Sequence, residues 1–151
     1  VNPAFPKHQL TGVFNLELAR LYGYLFQKTD QQFTILYALD GYDEISLTGP
    51  AKAIRNQGET LISPQDFGIA ELTADQISGG DNIPSSAAIF RAVLEGKGTE
   101  AQQNVVCANA AMAIATATNC SPQVGYEKAK ESLLAGRANQ AFKTLQKLSA
   151  V

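Results

Sequence analysis

The apolar segment at residues 33–39 limits the fold of this chain more than any other feature of the sequence. Its residues, FTILYAL, are almost all aromatic or aliphatic, which is the pattern of a strand covered on both faces. A short apolar run at residues 9–14 and an amphipathic pattern at residues 16–28 precede it, and Asn15 is placed to cap the helix. The order strand, helix, strand predicts a right-handed parallel crossover and therefore an α/β protein.

The next residues predict further short strands. After a break at Asp40 and Gly41, residues 45–47 predict a short strand, while residues 51–55 and 60–62 predict a β-hairpin at an edge of the sheet. Only about three core strands can be assigned, which is few for an α/β protein. We therefore expect an incomplete, mostly parallel sheet with flanking helices and an edge hairpin, with the missing strands upstream.

The second half of the chain predicts a loop and then a C-terminal group of helices. Residues 65–83 are rich in glycine and small polar residues, which indicates a connecting loop with one helical turn. Capping residues and helical periodicity then predict four helices. With their caps, they span residues 84–96, 99–118, 121–136 and 138–148.

Length and composition limit the class of protein. With 45% hydrophobic and 17% charged residues, residues 1–151 predict one domain that buries roughly 70% of its unfolded surface. The net charge of -2 builds no positive field for nucleic acid. The longest apolar segment, residues 105–117, is shorter than the roughly 18 residues of a membrane span, so we expect a buried helix and no membrane partner. We expect Cys107 and Cys120 to be reduced thiols, as in a cytoplasmic protein.

Two adjacent carboxylates, Asp43 and Glu44, are the strongest candidates for a functional site. They follow the predicted strand at residues 33–39, at the sheet edge where open α/β folds bind ligands. Both side chains can converge on one cation at the exit of a loop. Mg²⁺ takes one or two protein carboxylates together with substrate phosphate and water. The residues alone leave open the alternative that both are solvated turn residues.

Other polar residues carry weaker signals. Asp66, Asp75 and Asp81 lie in the predicted loop, where aspartate is common for turn hydrogen bonding alone. His8, beside Lys7, could meet an anionic ligand, and a surface histidine is the alternative. No catalytic triad, paired-cysteine motif or phosphate-binding glycine loop can be assembled from the sequence, so no catalytic residue is assigned.

The segment around the two carboxylates resembles a known family. Residues 41–50, GYDEISLTGP, are similar to the G-x-D-E-x-S-x-x-G segment of anthranilate phosphoribosyltransferases. Further matches keep the order seen in that family. They are Asn2-Pro3 with Gln9, Gly12 and Val13; Pro64 with Asp66-Phe67-Gly68; and Ala88-Ile89 with Leu94 and Gly96. The resemblance extends over nearly the whole chain and corresponds to the C-terminal portion of the family's α/β domain.

This resemblance implies a function and a cofactor. The family transfers the phosphoribosyl group of phosphoribosyl pyrophosphate to anthranilate in tryptophan biosynthesis, as a cytoplasmic homodimer. Its Asp-Glu pair binds the magnesium that accompanies the pyrophosphate. By residue match, this role falls on Asp43 and Glu44, with Mg²⁺ as the cofactor.

The resemblance also implies that much of the substrate-binding site lies upstream of Val1. The family's phosphate loop, its other metal ligand, the residue that receives the anthranilate carboxylate and the N-terminal helical domain all precede the matching region. We therefore expect residues 1–151 alone to be inactive, and an exposed sheet edge and apolar face to favour non-native self-association. Two alternatives remain: a catalytically idle paralogue that binds nucleic acid or a protein, and a relative of the nucleoside phosphorylases.

Overall fold

The computed structural model describes residues 4–149, which form a mixed sheet covered by helices on both faces. In spatial order the sheet contains β1 (His8–Gly12), β2 (Gln32–Ala38), β3 (Ala51–Arg55) and β4 (Gly58–Ile62). β1 and β2 are parallel, and helix α1 (Leu16–Phe26) connects them. The α/β class, the crossover and the edge hairpin are therefore confirmed.

The remaining pairings correct the expectation of a mostly parallel sheet. β3 lies antiparallel to β2, with Ala51 opposite Ala38, and β4 lies antiparallel to β3, with Ile62 opposite Ala51. One of the three pairings between the described strands is thus parallel. For β3 and β4 the reason is the short connection at residues 56–57, because so tight a turn reverses the chain. β2 and β3 are joined by residues 39–50, which contain no helix of the kind that usually carries the chain across to a parallel neighbour.

β2 contributes to a core on each face of the sheet, which explains its continuous apolar sequence. Phe33 and Ile35 pack with α1 in one core, and Leu36 and Ala38 belong to the larger core on the opposite face. Thr34 also faces that second side, where its hydroxyl lies 2.6 Å from the hydroxyl of Thr116. A strand buried on both faces has no solvent-facing positions, so its sequence does not alternate.

The predicted strand at residues 45–47 is wrong. These residues form an irregular segment, although Ile45, Ser46 and Leu47 are all buried. Leu47 has a φ of 61°, in the left-handed region, which no strand residue adopts. The buried backbone of Ile45 is satisfied by a side chain instead of by a neighbouring strand. An apolar pattern of three residues does not distinguish a strand paired with its neighbour from a buried irregular segment.

The four predicted C-terminal helices are confirmed. They are α2 (Ile83–Leu94), α3 (Glu100–Thr118), α4 (Pro122–Leu134) and α5 (Arg137–Ser149). The side chains of Asn82, Thr99 and Ser121 accept hydrogen bonds from the first turns of α2, α3 and α4. The predicted loop before α2 contains two 3₁₀ turns, Pro64–Phe67 and Ala74–Ile77, where one turn was expected.

Helix α3 is the central packing element of the larger core. Its buried residues include Cys107, Ala108, Ala111 and Met112. Cys107 and Cys120 are both unpaired, as expected. At 19 residues α3 is the longest helix, yet no helix among residues 4–149 is long and apolar enough to cross a membrane.

Candidate functional site

The loop between β2 and β3 carries Asp43 and Glu44 beyond the carboxyl end of β2. Both residues are exposed, and within residues 4–149 neither side chain has a hydrogen-bonding or ionic partner. They border a cavity of about 260 Å³. Its other lining residues are Tyr42, Ile45, Ser46, Ile77 and Val105. The structure therefore places the two predicted residues together at the rim of one cavity.

The end of β1 supports the loop from one side. A Cβ atom added to Gly12 would lie 1.6 Å from the carbonyl oxygen of Asp43, far inside van der Waals contact. The backbone of Asp43 can therefore lie against β1 only because residue 12 has no side chain. Gly12 was noted in the sequence for its resemblance to the family, and its contact with Asp43 supplies a physical reason for glycine there.

Helix α3 holds the loop from a second side through Asn109. The backbone N–H of Ile45 donates to Asn109 Oδ1 at 2.9 Å, and Asn109 Nδ2 donates to the Ile45 carbonyl oxygen at 2.8 Å. Asn109 Nδ2 also donates to the carbonyl oxygen of Val105 at 2.9 Å. One amide side chain thus fixes both backbone groups of the residue that follows Glu44.

Hydrogen bonds within the loop close it on itself. Asp40 Oδ2 accepts from the hydroxyl of Ser46 at 2.9 Å and also from the hydroxyl of Thr48. The N–H of Ala38 donates to the Tyr42 carbonyl oxygen, which closes the turn at the end of β2. Asp40 was predicted only as a break after the strand. Its position six and eight residues before two hydroxyl residues is the signal that could have shown its role.

The lining of the cavity favours a cation. Asp43 and Glu44 supply two carboxylates, and no lysine, arginine or histidine of the described part of the chain lines the cavity with them. Adjacent carboxylates repel each other, and a divalent ion would offset that repulsion. Carboxylate oxygens are the ligands that Mg²⁺ prefers.

These residues fit Mg²⁺ as part of a site. Among the described residues no group of three histidine, cysteine, aspartate or glutamate side chains is arranged to hold a metal ion. Two carboxylates suffice for the protein side of many magnesium sites, because phosphate and water complete the octahedron. Further ligands would have to come from a phosphate-bearing substrate, from water or from other parts of the protein.

The weaker candidates lie away from this cavity. Asp66 accepts from the N–H of Ser63 at 2.7 Å and so caps the first 3₁₀ turn. Asp75 lies in the first turn of the second one, and Asp81 is exposed just before α2. His8 is exposed at the start of β1. None of the four lines the cavity with Asp43 and Glu44.

Comparison with known proteins decides the family. A family model described as the glycosyl transferase family, a/b domain, matches residues 1–139. The chain belongs to this glycosyl transferase family. The match begins before β1 and ends in the first residues of α5, so the loop, Gly12 and Asn109 all lie within it. The Asn2-Pro3 part of the resemblance lies outside the described residues.

Proteins similar to this chain include anthranilate phosphoribosyltransferases. The protein of Flavobacterium johnsoniae is 62% identical over 149 residues, which cover 99% of this chain and 45% of the relative. The protein of Christiangramia forsetii is 60% identical, with the same coverage of both chains. The chain thus spans 45% of the length of these relatives.

Solved structures share the fold of this family member. Anthranilate phosphoribosyltransferase from Thermus thermophilus superimposes with a TM-score of 0.80 at 21% identity, covering 88% of this chain and 40% of that one. The Saccharomyces cerevisiae enzyme in complex with PRPP and Mg gives a TM-score of 0.81 at 20% identity, covering 91% of this chain and 40% of that one. At such identities the likeness concerns the fold.

Proposed function

We propose that this chain forms part of an anthranilate phosphoribosyltransferase, in which Asp43 and Glu44 bind the Mg²⁺ that accompanies phosphoribosyl pyrophosphate. The observation that carries the proposal is a pair of exposed carboxylates that have no partner within residues 4–149, on a loop held from several sides. The identity of 62% and 60% to proteins of that name supports the choice of substrates.

The chemistry of the reaction explains why such a pair is useful. The amine of anthranilate displaces pyrophosphate from C1 of the ribose, and negative charge accumulates on the departing group. Mg²⁺ supplies neutralisation of that charge when it is bound. The task of this chain is to hold the two carboxylates in a fixed arrangement, so that little reorganisation is needed as the charge develops.

The proposal extends to the whole protein. The substrates are phosphoribosyl pyrophosphate and anthranilate, and the remaining binding groups lie on other parts of the protein. A cytoplasmic homodimer belongs to the same proposal. Residues 1–151 alone do not catalyse the reaction in this account, since one carboxylate pair cannot hold both substrates.

A paired substitution in the full-length protein tests the metal assignment. Asp43→Asn with Glu44→Gln keeps the size of both side chains and removes both charges, and neutral amides are weak ligands for Mg²⁺. Since losing even the partners that support metal ligands costs roughly 10–100-fold in affinity or activity, we expect the Mg²⁺ concentration for half-maximal turnover to rise by more than about 100-fold.

A matched control removes the same charge elsewhere. Glu71→Gln with Asp75→Asn neutralises two exposed carboxylates that do not line the cavity, so its Mg²⁺ dependence should equal that of the wild type. If the Asp43 and Glu44 variant also keeps the wild-type Mg²⁺ dependence, the two carboxylates do not bind the metal.

A further inference from the structure

We propose that Asn109 of α3 is a positioning residue for the Asp43 and Glu44 pair and acts through the backbone of Ile45. This inference rests on the proposed function, since it concerns the same metal site. Asn109 is not among the residues that line the cavity, so its proposed role is indirect. Its effect is transmitted by the peptide groups that flank Ile45.

The geometry of Asn109 is specific for this task. Its amide is half-buried and makes two hydrogen bonds to Ile45, one as acceptor and one as donor, across 64 positions of sequence. The side chain of Ile45 is 2% exposed, so the segment is anchored by apolar burial as well. The peptide bond between Glu44 and Ile45 is therefore fixed directly, and the Glu44 side chain begins one atom away from it.

The same helix also forms a wall of the cavity. Val105, one turn before Asn109, lines the cavity with the two carboxylates, and its carbonyl oxygen accepts the third hydrogen bond of the Asn109 amide. This third bond restrains the amide against rotation about its own side-chain torsions. Helix α3 thereby forms part of the cavity wall and also orients the loop.

The sequence of α3 argues that Asn109 has a specific role. The helix is rich in alanine and its centre is buried, whereas asparagine is a weaker helix former and needs partners for its amide when it is buried. Both polar atoms of the Asn109 amide, Oδ1 and Nδ2, have such partners. Two of the three hydrogen bonds go to Ile45. The loop that it holds therefore explains why α3 has an asparagine at this position.

Two alanine variants of α3 in the full-length protein separate this role from general stability. Asn109→Ala removes the bonds to Ile45, whereas Asn104→Ala removes a hydrogen bond that Asn104 accepts from the hydroxyl of Tyr126 at 2.8 Å, toward α4. Both remove one asparagine amide from the same helix. We expect only Asn109→Ala to speed amide hydrogen exchange in residues 41–48, by roughly tenfold or more.

The Mg²⁺ dependence of turnover is a second test of the role of Asn109. Asn109→Ala should raise the Mg²⁺ concentration for half-maximal turnover by roughly 10–100-fold, the range found when groups that support metal ligands are removed. Asn104→Ala should leave it unchanged. Asn109→Leu also removes all three hydrogen bonds but keeps the side-chain size and favours the helix, so it should match Asn109→Ala, and it replaces the alanine variant if that variant does not fold.

The outcomes distinguish this inference from the proposed function. If Asn109→Ala and Asn109→Leu leave both amide exchange in the loop and Mg²⁺ dependence unchanged, while the Asp43 and Glu44 variant alters the Mg²⁺ dependence, Asn109 is not a positioning residue. Equal effects of Asn109→Ala and Asn104→Ala on amide exchange in residues 41–48 would also overturn the inference. If instead the loop loosens in Asn109→Ala but neutralising both carboxylates changes nothing, Asn109 anchors the loop and the metal assignment fails.

Discussion

Gly12 illustrates how far a single residue decides the position of the carboxylate loop. The carbonyl oxygen of Asp43 occupies the space where any other residue would place its Cβ atom. No other described glycine would bring a Cβ atom so close to another atom. The close approach brings the end of β1 and the loop after β2 together.

Gly12→Ala should therefore destabilise the protein and displace the loop. A distance of 1.6 Å to a backbone oxygen cannot be relieved by a side-chain rotation, so the strand or the loop must move. We expect a loss of about 1–3 kcal/mol in the free energy of unfolding, measured by urea denaturation, as for other overpacked sites.

Gly23→Ala is the control for that experiment. Gly23 lies inside α1, where a Cβ atom would meet its neighbours no closer than 3.8 Å. Alanine there should be neutral or stabilising by up to about 1 kcal/mol, because it is the better helix former. A Gly12→Ala variant as stable as wild type would show that the loop adjusts to the added methyl group without cost.

The residues of the site differ in how far the sequence could reveal them. Asp43 and Glu44 were located because exposed carboxylates directly after a buried strand follow a local rule. Asp40 and Asn109 were missed, since their roles depend on partners that folding brings together. Asn109 was visible only as a polar interruption of the apolar segment at residues 105–117, and that interruption is a usable signal for a buried polar anchor.

At the scale of elements, helix ends were predictable and the irregular buried segment was not. Caps are local, so residues such as Thr99 and Ser121 located the starts of α3 and α4 correctly. The segment at residues 45–47 is buried like a strand, but the backbone of Ile45 bonds to a side chain of α3, and the carbonyl oxygen of Leu47 accepts from the N–H of Leu72. No local pattern contains that information. The mixed pairing follows from the hairpin, which was itself predicted.

The contact between α3 and α4 depends on a glycine in the first turn of α4. A Cβ atom at Gly125 would lie 2.5 Å from the carbonyl oxygen of Ala111 on α3. The two helix backbones therefore approach each other closely at this point, which holds α3 in place behind the loop.

Gly125→Ala should weaken this interface. Helix propensity alone would predict a gain of roughly 0.5–1 kcal/mol. The clash is with backbone, so α3 and α4 must separate, and we expect a net loss of about 1–3 kcal/mol in urea denaturation. A more stable variant would mean that propensity outweighs the contact and that the helices can move apart freely.

At the scale of the whole molecule, the described residues leave apolar surface uncovered. Leu21 and Tyr24 on α1 are 59% and 64% exposed, and Phe14 before it is 66% exposed. β1 has a strand on one side only within residues 4–149. The chain spans 45% of the length of its relatives. In the proposed enzyme, other parts of the protein cover this surface. When residues 1–151 are studied alone, we expect the uncovered surface to favour non-native self-association.

The function was accessible from the sequence mainly through resemblance, and the physical pattern supplied only part of it. Periodicity and charge predicted an α/β protein with an acidic pair at a sheet edge. They did not choose between a solvated turn and a metal site at Asp43 and Glu44. The structure adds that the pair is unpartnered among the described residues and that the loop beneath it is restrained by Gly12 and Asn109. A restrained loop is consistent with the proposed metal site, which needs both carboxylates in a fixed arrangement.

The most direct test is a crystal structure of the full-length protein grown with Mn²⁺ and phosphoribosyl pyrophosphate, with anomalous data that locate the manganese. We expect an anomalous peak roughly 2.1 Å from carboxylate oxygens of Asp43 and Glu44, the distance typical of small divalent ions such as Mg²⁺. Bound phosphoribosyl pyrophosphate with every manganese peak on other residues, and both carboxylates in solvent, would contradict the account.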